Sequence, residues 1–393
     1  MDLLLLSCRL ASTLAWPHPT PLAGDCGRLP AYRAPRGCLV SFPPRLPPPG
    51  AGRNAAALRC ASNAPEGASS SGDRGQREPS TAGIECGCSV HMARDTAVRV
   101  LRAGGVEHGE AESAADILLE HVTKLSRGVL RGMGGKARTL SVEEAGLMRE
   151  CVARRAANEP VQYIVGEWDF YNLRNLRVRQ PTLIPRPETE ELVDMVLKST
   201  GESPPARFLE VGPGTGAISL ALLTQWPGAR AEAVELCQHA VTLTKENAEM
   251  LGLSHRLHVH HQGVTPWAQA RAGCEGEGLF DLLVSNPPYI PAGDMLVLDP
   301  EVRDFEDHVA LDGGEDGLDI VWEILRAAPL LLSPNASIWL EVDETHPRLL
   351  RSIFAPSPPP GGRDRREVPG VEFVAGFDDM FGRPRFVHFC LSS

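Results

Sequence analysis

The sequence predicts an α/β chain in which a doubly wound, mostly parallel sheet follows a small helical domain and a β-hairpin linker. Three observations carry the prediction. From Arg207 to Val342, apolar runs of strand length alternate with segments of helical periodicity, the order that builds a parallel sheet covered by helices on both faces. A glycine-rich turn, Gly212 to Gly216, joins the first of those strands to the first of those helices. Upstream, residues 91–158 carry helical periodicity only.

The 393 residues carry a net charge of −11, distributed unevenly. The first 65 hold seven Arg, no Lys and two acids (Asp2, Asp25), a net of +5 that leaves −16 for residues 66–393. An Arg-rich, acid-poor leader of this kind reads as an organelle transit peptide. From Pro43 to about Ser80, Pro, Gly, Ala and Ser dominate, a composition with too little apolar surface to offset ordering entropy, so residues 1–80 are expected to be transit peptide and unstructured linker. No stretch of 18 or more uncharged apolar residues is present, so no membrane span is expected. Of ten cysteines, six precede residue 90, while 151, 237, 274 and 390 are scattered without a CxxC pair or zinc-like His spacing. They read as reduced thiols, and no metal site is expected.

The elements follow in order. Val98 and Leu101 precede a stop at Gly104-Gly105, and Ala114, Leu118, Val122 and Leu125 recur at near-helical spacing. Ser141 with Glu144 is a capping box opening a helix striped by Val142, Ala145, Met148 and Val152. Residues 159–186 alternate short β-like runs, Val161–Ile164 among them, with turn residues and read as the hairpin linker. The last domain, 187–393, starts with a helix at Glu188–Leu197. Strands are expected at Arg207–Val211, Ala231–Val234, Leu257–His261, Leu279–Val284 and Ser337–Val342, with a terminal pair near Val371–Ala375 and Arg385–Leu391. Helices are expected at Ala217–Leu223, Ala240–Leu251 and Leu318–Leu332, and a loop at 356–362.

Candidate chemistry lies at strand ends. Glu210-Val211-Gly212-Pro213-Gly214-Thr215-Gly216 lets the backbone approach a ligand closely. Its GxGxG spacing differs from the dinucleotide GxGxxG, and Glu210 would repel a pyrophosphate but meet a cation; both details favour S-adenosylmethionine. Glu235, about twenty residues on at the second strand's end, is placed to accept from two ribose hydroxyls. After the fourth strand comes Asn286-Pro287-Pro288-Tyr289. Asn286 offers an acceptor and a donor to a planar amide or amine, Pro287 fixes the carbonyls around it, and Tyr289 offers a flat face. An amide nitrogen is a poor nucleophile, and acceptors on its hydrogens would raise its electron density. Taken alone, the tetrapeptide fits methylation of some planar amide or amino group.

Together with Pro160–Gly166, Leu183–Glu190 and Ala310–Gly314, these motifs make residues 95–391 resemble the HemK/PrmC protein-glutamine N5-methyltransferases of class I peptide-chain release factors, with Gly166–Phe170 and Gly382–Phe386 most like the mitochondrial branch. The resemblance implies a Rossmann-like S-adenosylmethionine-dependent methyltransferase domain that modifies the glutamine of a Gly-Gly-Gln motif. It implies that Asn286 and the Pro287 carbonyl hold that amide, with Pro288 and Tyr289 beside it. It gives the helical domain a role in gripping the release factor. Where relatives carry an acid to meet the adenine, this chain has Gly263, leaving Trp267 as the candidate adenine neighbour. Glu210, Gly212, Pro213, Gly214, Thr215, Gly216, Glu235, Trp267 and Asn286 are thus the expected cofactor residues. Arg186 and Glu188 border the site, either touching substrate or pairing to hold linker to core. A monomer in the mitochondrion is expected, with the plastid as alternative because Ala57–Ala61 also suits a plastid cleavage context. The rival readings are an N6-adenine methyltransferase, weakened by the acidic body, and a non-catalytic assembly factor, weakened by the intact loop.

Overall fold

The computed structural model describes residues 81–132, 137–272, 278–355 and 368–392. The transit-peptide reading of residues 1–80 and the loop expected at 356–362 lie outside them. Helices Val90–Ala103, His108–Thr123 and Val142–Ala156 pack around Leu101, Leu118 and Met148, each fully buried. The capping box forms as read: the Ser141 hydroxyl accepts from Glu144 N–H, and the Glu144 carboxylate accepts from Ser141 N–H at 2.8 Å. Arg155, 1% exposed, donates to Glu110 in this bundle and to Glu301 in the segment after the fourth parallel strand. Removing one partner would leave a buried charge, so this triad joins the bundle firmly to the larger domain.

The linker differs from its expected form. Val161–Val165 is a helical turn stopped by Gly166 at φ +80°, and the hairpin is confined to β1 (Glu167–Phe170) and β2 (Leu173–Arg177). Packing overrides the β propensity of Val161 and Ile164 here, because the turn buries Ile164 against the helical bundle and lets the Tyr163 hydroxyl donate to the Thr182 carbonyl at 2.7 Å.

The remaining strands are β3 (Arg207–Val211), β4 (Arg230–Glu235), β5 (Leu257–His261), β6 (Phe280–Ser285), β7 (Leu332–Glu341), β8 (Val371–Asp378) and β9 (Pro384–Leu391). They form one sheet in the order β5-β4-β3-β6-β7-β9-β8, parallel through β7 and antiparallel at β9 and β8. Helices Pro187–Thr200, Ala217–Gln225 and Gln238–Met250 cover one face, and Val264–Ala272, Asp319–Leu331 and His346–Ile353 the other. Two of these helices were not expected. Val264–Ala272 hides behind Pro266, tolerated in a first turn whose N–H groups have no helical acceptor, and His346–Ile353 is short. Among the described residues no helix is long and apolar enough to cross a membrane.

The chain runs outward from β3 to β5, then crosses back to place β6 on β3's other side. That reversal opens a crevice at the carboxyl ends of β3 and β6, where ligands of doubly wound sheets bind.

Candidate active site

Val211 pairs with Ser285 in register, and the Ser285 hydroxyl donates to the Val211 carbonyl at 2.6 Å. Gly212 and Asn286 therefore leave adjacent strands at one level, about 4.8 Å apart. Gly212, Gly214 and Gly216 all have positive φ. A Cβ at Gly216 would come within 2.9 Å of Thr244, whereas one at Gly212 would meet nothing within 4 Å, so open space faces the loop there. The loop is held from beneath by residues the sequence did not single out. Thr244 donates to the Gly214 carbonyl at 2.8 Å, and Asn247, fully buried, donates to the carbonyls of Thr215 and Arg177. Thr215 is buried, and Pro213 lies between the first two glycines.

Two carboxylates flank the loop. Glu210, 1% exposed, accepts from Ser219 N–H at 2.9 Å through Oε2, while its buried Oε1 has no partner. Burial pushes this carboxyl up to about 7. Glu235 accepts from Gly214 N–H at 3.1 Å and Cys237 N–H at 2.9 Å, and burial raises it too. An unpartnered buried acceptor beside an open glycine cradle calls for a cationic donor. That set fits S-adenosylmethionine, whose methionine end is cationic and whose ribose offers hydroxyls to Glu235.

Across the crevice a directional chain of hydrogen bonds fixes the tetrapeptide. Glu341, at the end of β7 and 1% exposed, accepts from the Thr189 hydroxyl at 2.8 Å and the Tyr289 phenol at 3.1 Å. With its proton given to Glu341, Thr189 has a lone pair left for Asn286 Nδ2, 3.1 Å away. One N–H of Asn286 is thus committed to Thr189, which leaves Oδ1 as the acceptor of this side chain. Burial pushes Glu341 up to about 7, and burial next to that carboxylate raises the Tyr289 phenol. Arg385 lies 5.8 Å from the centre of the Tyr289 ring. Pro287 is buried and Pro288 half-buried. Ile290 then pairs with the Ala310–Gly314 segment, and Gly317 is obligatory behind it, since a Cβ there would stand 2.3 Å from the Tyr289 carbonyl.

Trp267 lies away from the loop, while Arg186 and Glu188 are engaged in ion pairs, one of the two roles expected of them. Trp267 is in the core, its ring packed on His260, Phe280 and Arg271. With Arg207, Arg230 and Gly278 it lines a cavity opening at the amino ends of the strands, away from the glycine loop, because the unexpected helix Val264–Ala272 turns its ring into the sheet. Arg186 makes a two-pronged contact with buried Glu306 at 2.7 Å, and Glu188 pairs with Arg383 at 3.4 Å. Their charges are engaged within the chain, joining the walls of the crevice.

Comparison with known proteins narrows the chemistry. Residues 93–166 match the PrmC N-terminal domain, and residues 190–298 the methyltransferase small domain. Human MTRF1L release factor glutamine methyltransferase is 43% identical over 264 residues, 63% of this chain and 72% of that protein. The chain belongs to the release factor glutamine methyltransferase family. Bacterial members similar to it include those of Rhodospirillum rubrum, 38% identical over 251 residues (63% of this chain, 72% of that protein), and Moorella thermoacetica, 36% identical over 266 residues (67% and 89%). Thr189 and Glu341 are the site residues that sequence reading missed. Thr189 was visible inside the Leu183–Glu190 motif, but Glu341 stood only as an acid near a strand end.

Proposed function

We propose that this protein transfers a methyl group from S-adenosylmethionine to the side-chain amide N5 of the glutamine in the Gly-Gly-Gln motif of an organellar class I release factor. The observation that carries the reading is the hydrogen bond from Asn286 Nδ2 to Thr189, itself held by Glu341, which leaves Oδ1 as the acceptor of a side chain that follows β6 in register with the start of the glycine loop. When bound, S-adenosylmethionine supplies a methyl group already activated on a sulfonium. Glu210 would take the cofactor's cationic end and Glu235 its ribose, with Gly212, Pro213, Gly214, Thr215 and Gly216 cradling it. Asn286 Oδ1 and the Pro287 carbonyl accept the two hydrogens of the substrate amide, which turns its nitrogen toward the methyl and raises its electron density. The substrate nitrogen would take the methyl group in exchange for one amide proton, which would leave along its hydrogen bond to Asn286 Oδ1 or the Pro287 carbonyl and on to solvent. Positioning for in-line attack supplies much of the rate. Pro288 and Tyr289 wall the amide, and Thr189 with Glu341 positions Asn286.

Labelled S-adenosylmethionine is expected to methylate an organellar release factor and leave its Gly-Gly-Gln Gln→Ala variant unlabelled. Equal labelling of both, or of nucleic acid only, overturns the assignment. Thr189→Val keeps shape but removes the relay hydroxyl, so kcat is expected to fall by about tenfold, the worth of one neutral hydrogen bond, with Thr189→Ser restoring it. An unchanged kcat in Thr189→Val would remove the relay from the reaction.

The Arg-rich, acid-poor first 65 residues support mitochondrial import, with the plastid as the alternative that a fluorescent fusion of that leader distinguishes. We place the protein there as a monomer that binds its protein substrate without nucleic acid and whose helical domain helps grip the release factor.

A further inference from the structure

Two residues beyond Glu235, the fold assembles a cluster that the proposed reaction does not use. Cys237 precedes helix Gln238–Met250 and His239 lies in its first turn. Asp307 arrives from 70 residues further along, its backbone N–H fixed on the Pro181 carbonyl at 2.7 Å. Its Oδ1 accepts from Val309 N–H at 3.0 Å, which leaves Oδ2 directed at Cys237 Sγ (3.3 Å) and His239 Nε2 (3.1 Å). One donor atom from each residue lies within 4.8 Å of the other two. The spacing Cys237-Gln238-His239 gave no signal by itself, because the third donor is brought in only by the fold.

We propose that Cys237, His239 and Asp307 form a zinc site with three protein ligands and an open fourth position. Tetrahedral zinc, with bonds of about 2.3 Å to sulfur and 2.0–2.2 Å to nitrogen or oxygen, sets neighbouring donors about 3.3–3.6 Å apart; the two separations to Asp307 Oδ2, 3.3 and 3.1 Å, lie a few tenths of an ångström from that, and the sulfur and the imidazole nitrogen are within 4.8 Å of each other. A thiolate, an imidazole and a carboxylate are a zinc donor set, not a magnesium or calcium one. The backbone bond to Oδ1 orients the carboxylate as an outer-shell partner does. Without metal the Cys237 thiol donates to Asp307 Oδ2 at 3.3 Å. Zinc forms the Zn–S bond as the S–H bond breaks, the proton leaves to solvent, and thiolate plus carboxylate balance the 2+ charge. Bound metal would fasten the Asp307 segment to the edge of the cofactor cradle, since Glu235 accepts from Cys237 N–H.

The test uses the full chain, reduced and stripped with chelator, titrated with Co²⁺ and then Zn²⁺. We expect a thiolate-to-cobalt charge-transfer band that Zn²⁺ abolishes, that is absent in Cys237→Ala and Cys237→Ser, and that survives in Cys86→Ser/Cys88→Ser. Asp307→Asn, which keeps the thiol and the side-chain size, is expected to weaken Co²⁺ binding at least tenfold with an unchanged circular dichroism spectrum, and His239→Ala likewise. No thiolate band in the wild type, a band that persists without Cys237, or full affinity in Asp307→Asn overturns the site and leaves a hydrogen-bonded cluster only.

Discussion

Asn286→Ala is expected to lower kcat for methyl transfer by about a thousandfold or more, while the Kd for S-adenosylmethionine changes by less than about threefold. Deleting one preorganised polar contact to a reacting group costs about 10²–10³ in kcat, and this substitution also frees the Thr189 hydroxyl and with it the far end of the relay. Its sparing of the cofactor follows from position: no bond from Asn286 to the glycine loop contributes to the cradle's own support, which comes from Thr244, Asn247 and Glu235. Single-turnover rates and equilibrium binding on the same preparation separate the two quantities. Transfer at the wild-type rate under saturating cofactor, with binding alone impaired, would contradict the role given to Asn286.

Glu210→Gln is expected to weaken S-adenosylmethionine binding by tenfold or more and to make the cofactor-free protein more stable at pH 8. The folded-state value of Glu210 is raised from 4.5 to about 7 by burial, so the folded protein binds this proton more tightly than the unfolded chain. Its stabilising contribution is complete below about 4.5 and is lost as pH rises through 7, where an uncompensated charge is forced into the strand end. Gln can still accept from Ser219 N–H but never ionises. A cationic ligand reverses the sign: it favours the ionised form, so affinity in the wild type rises with pH through 7, and Glu210→Gln flattens that dependence. Glu191, Glu301 and Glu341 are also pushed up to about 7, so the signal is the difference between wild type and variant across pH 5–9 in thermal midpoint and in Kd. Matching pH profiles would remove Glu210 from the cofactor's cationic end.

Much of this protein was written locally. Short-range periodicity located the β3 and β5 strands at their observed limits, and a glycine triplet after an acid marked where the chain turns from β3 into its helix. The Ser141–Glu144 cap was legible because it is closed within four residues. What failed did so for nonlocal reasons. Val161–Val165 looked like a strand until its packing against the helical bundle was known. Trp267 looked like a ligand neighbour because its helix, carrying a proline in the first turn, was not recognised, and an indole in a helix is aimed by that helix's face.

The division has one physical source. Backbone conformation and the succession of elements along the chain depend on neighbours in sequence, so the sequence by itself determined a doubly wound domain, its glycine-rich turn and the placement of Asn286 at a strand's end. The orientation of Asn286 depends on Thr189, 97 residues before it, and through Thr189 on Glu341, at the end of another strand. Likewise Cys237 and His239 gain Asp307 only when the segment beyond β6 folds back over the crevice. Hydrogen bonds and ligand sets act over about 3 Å of space whatever the separation in sequence, and only the tertiary structure decides which groups share it.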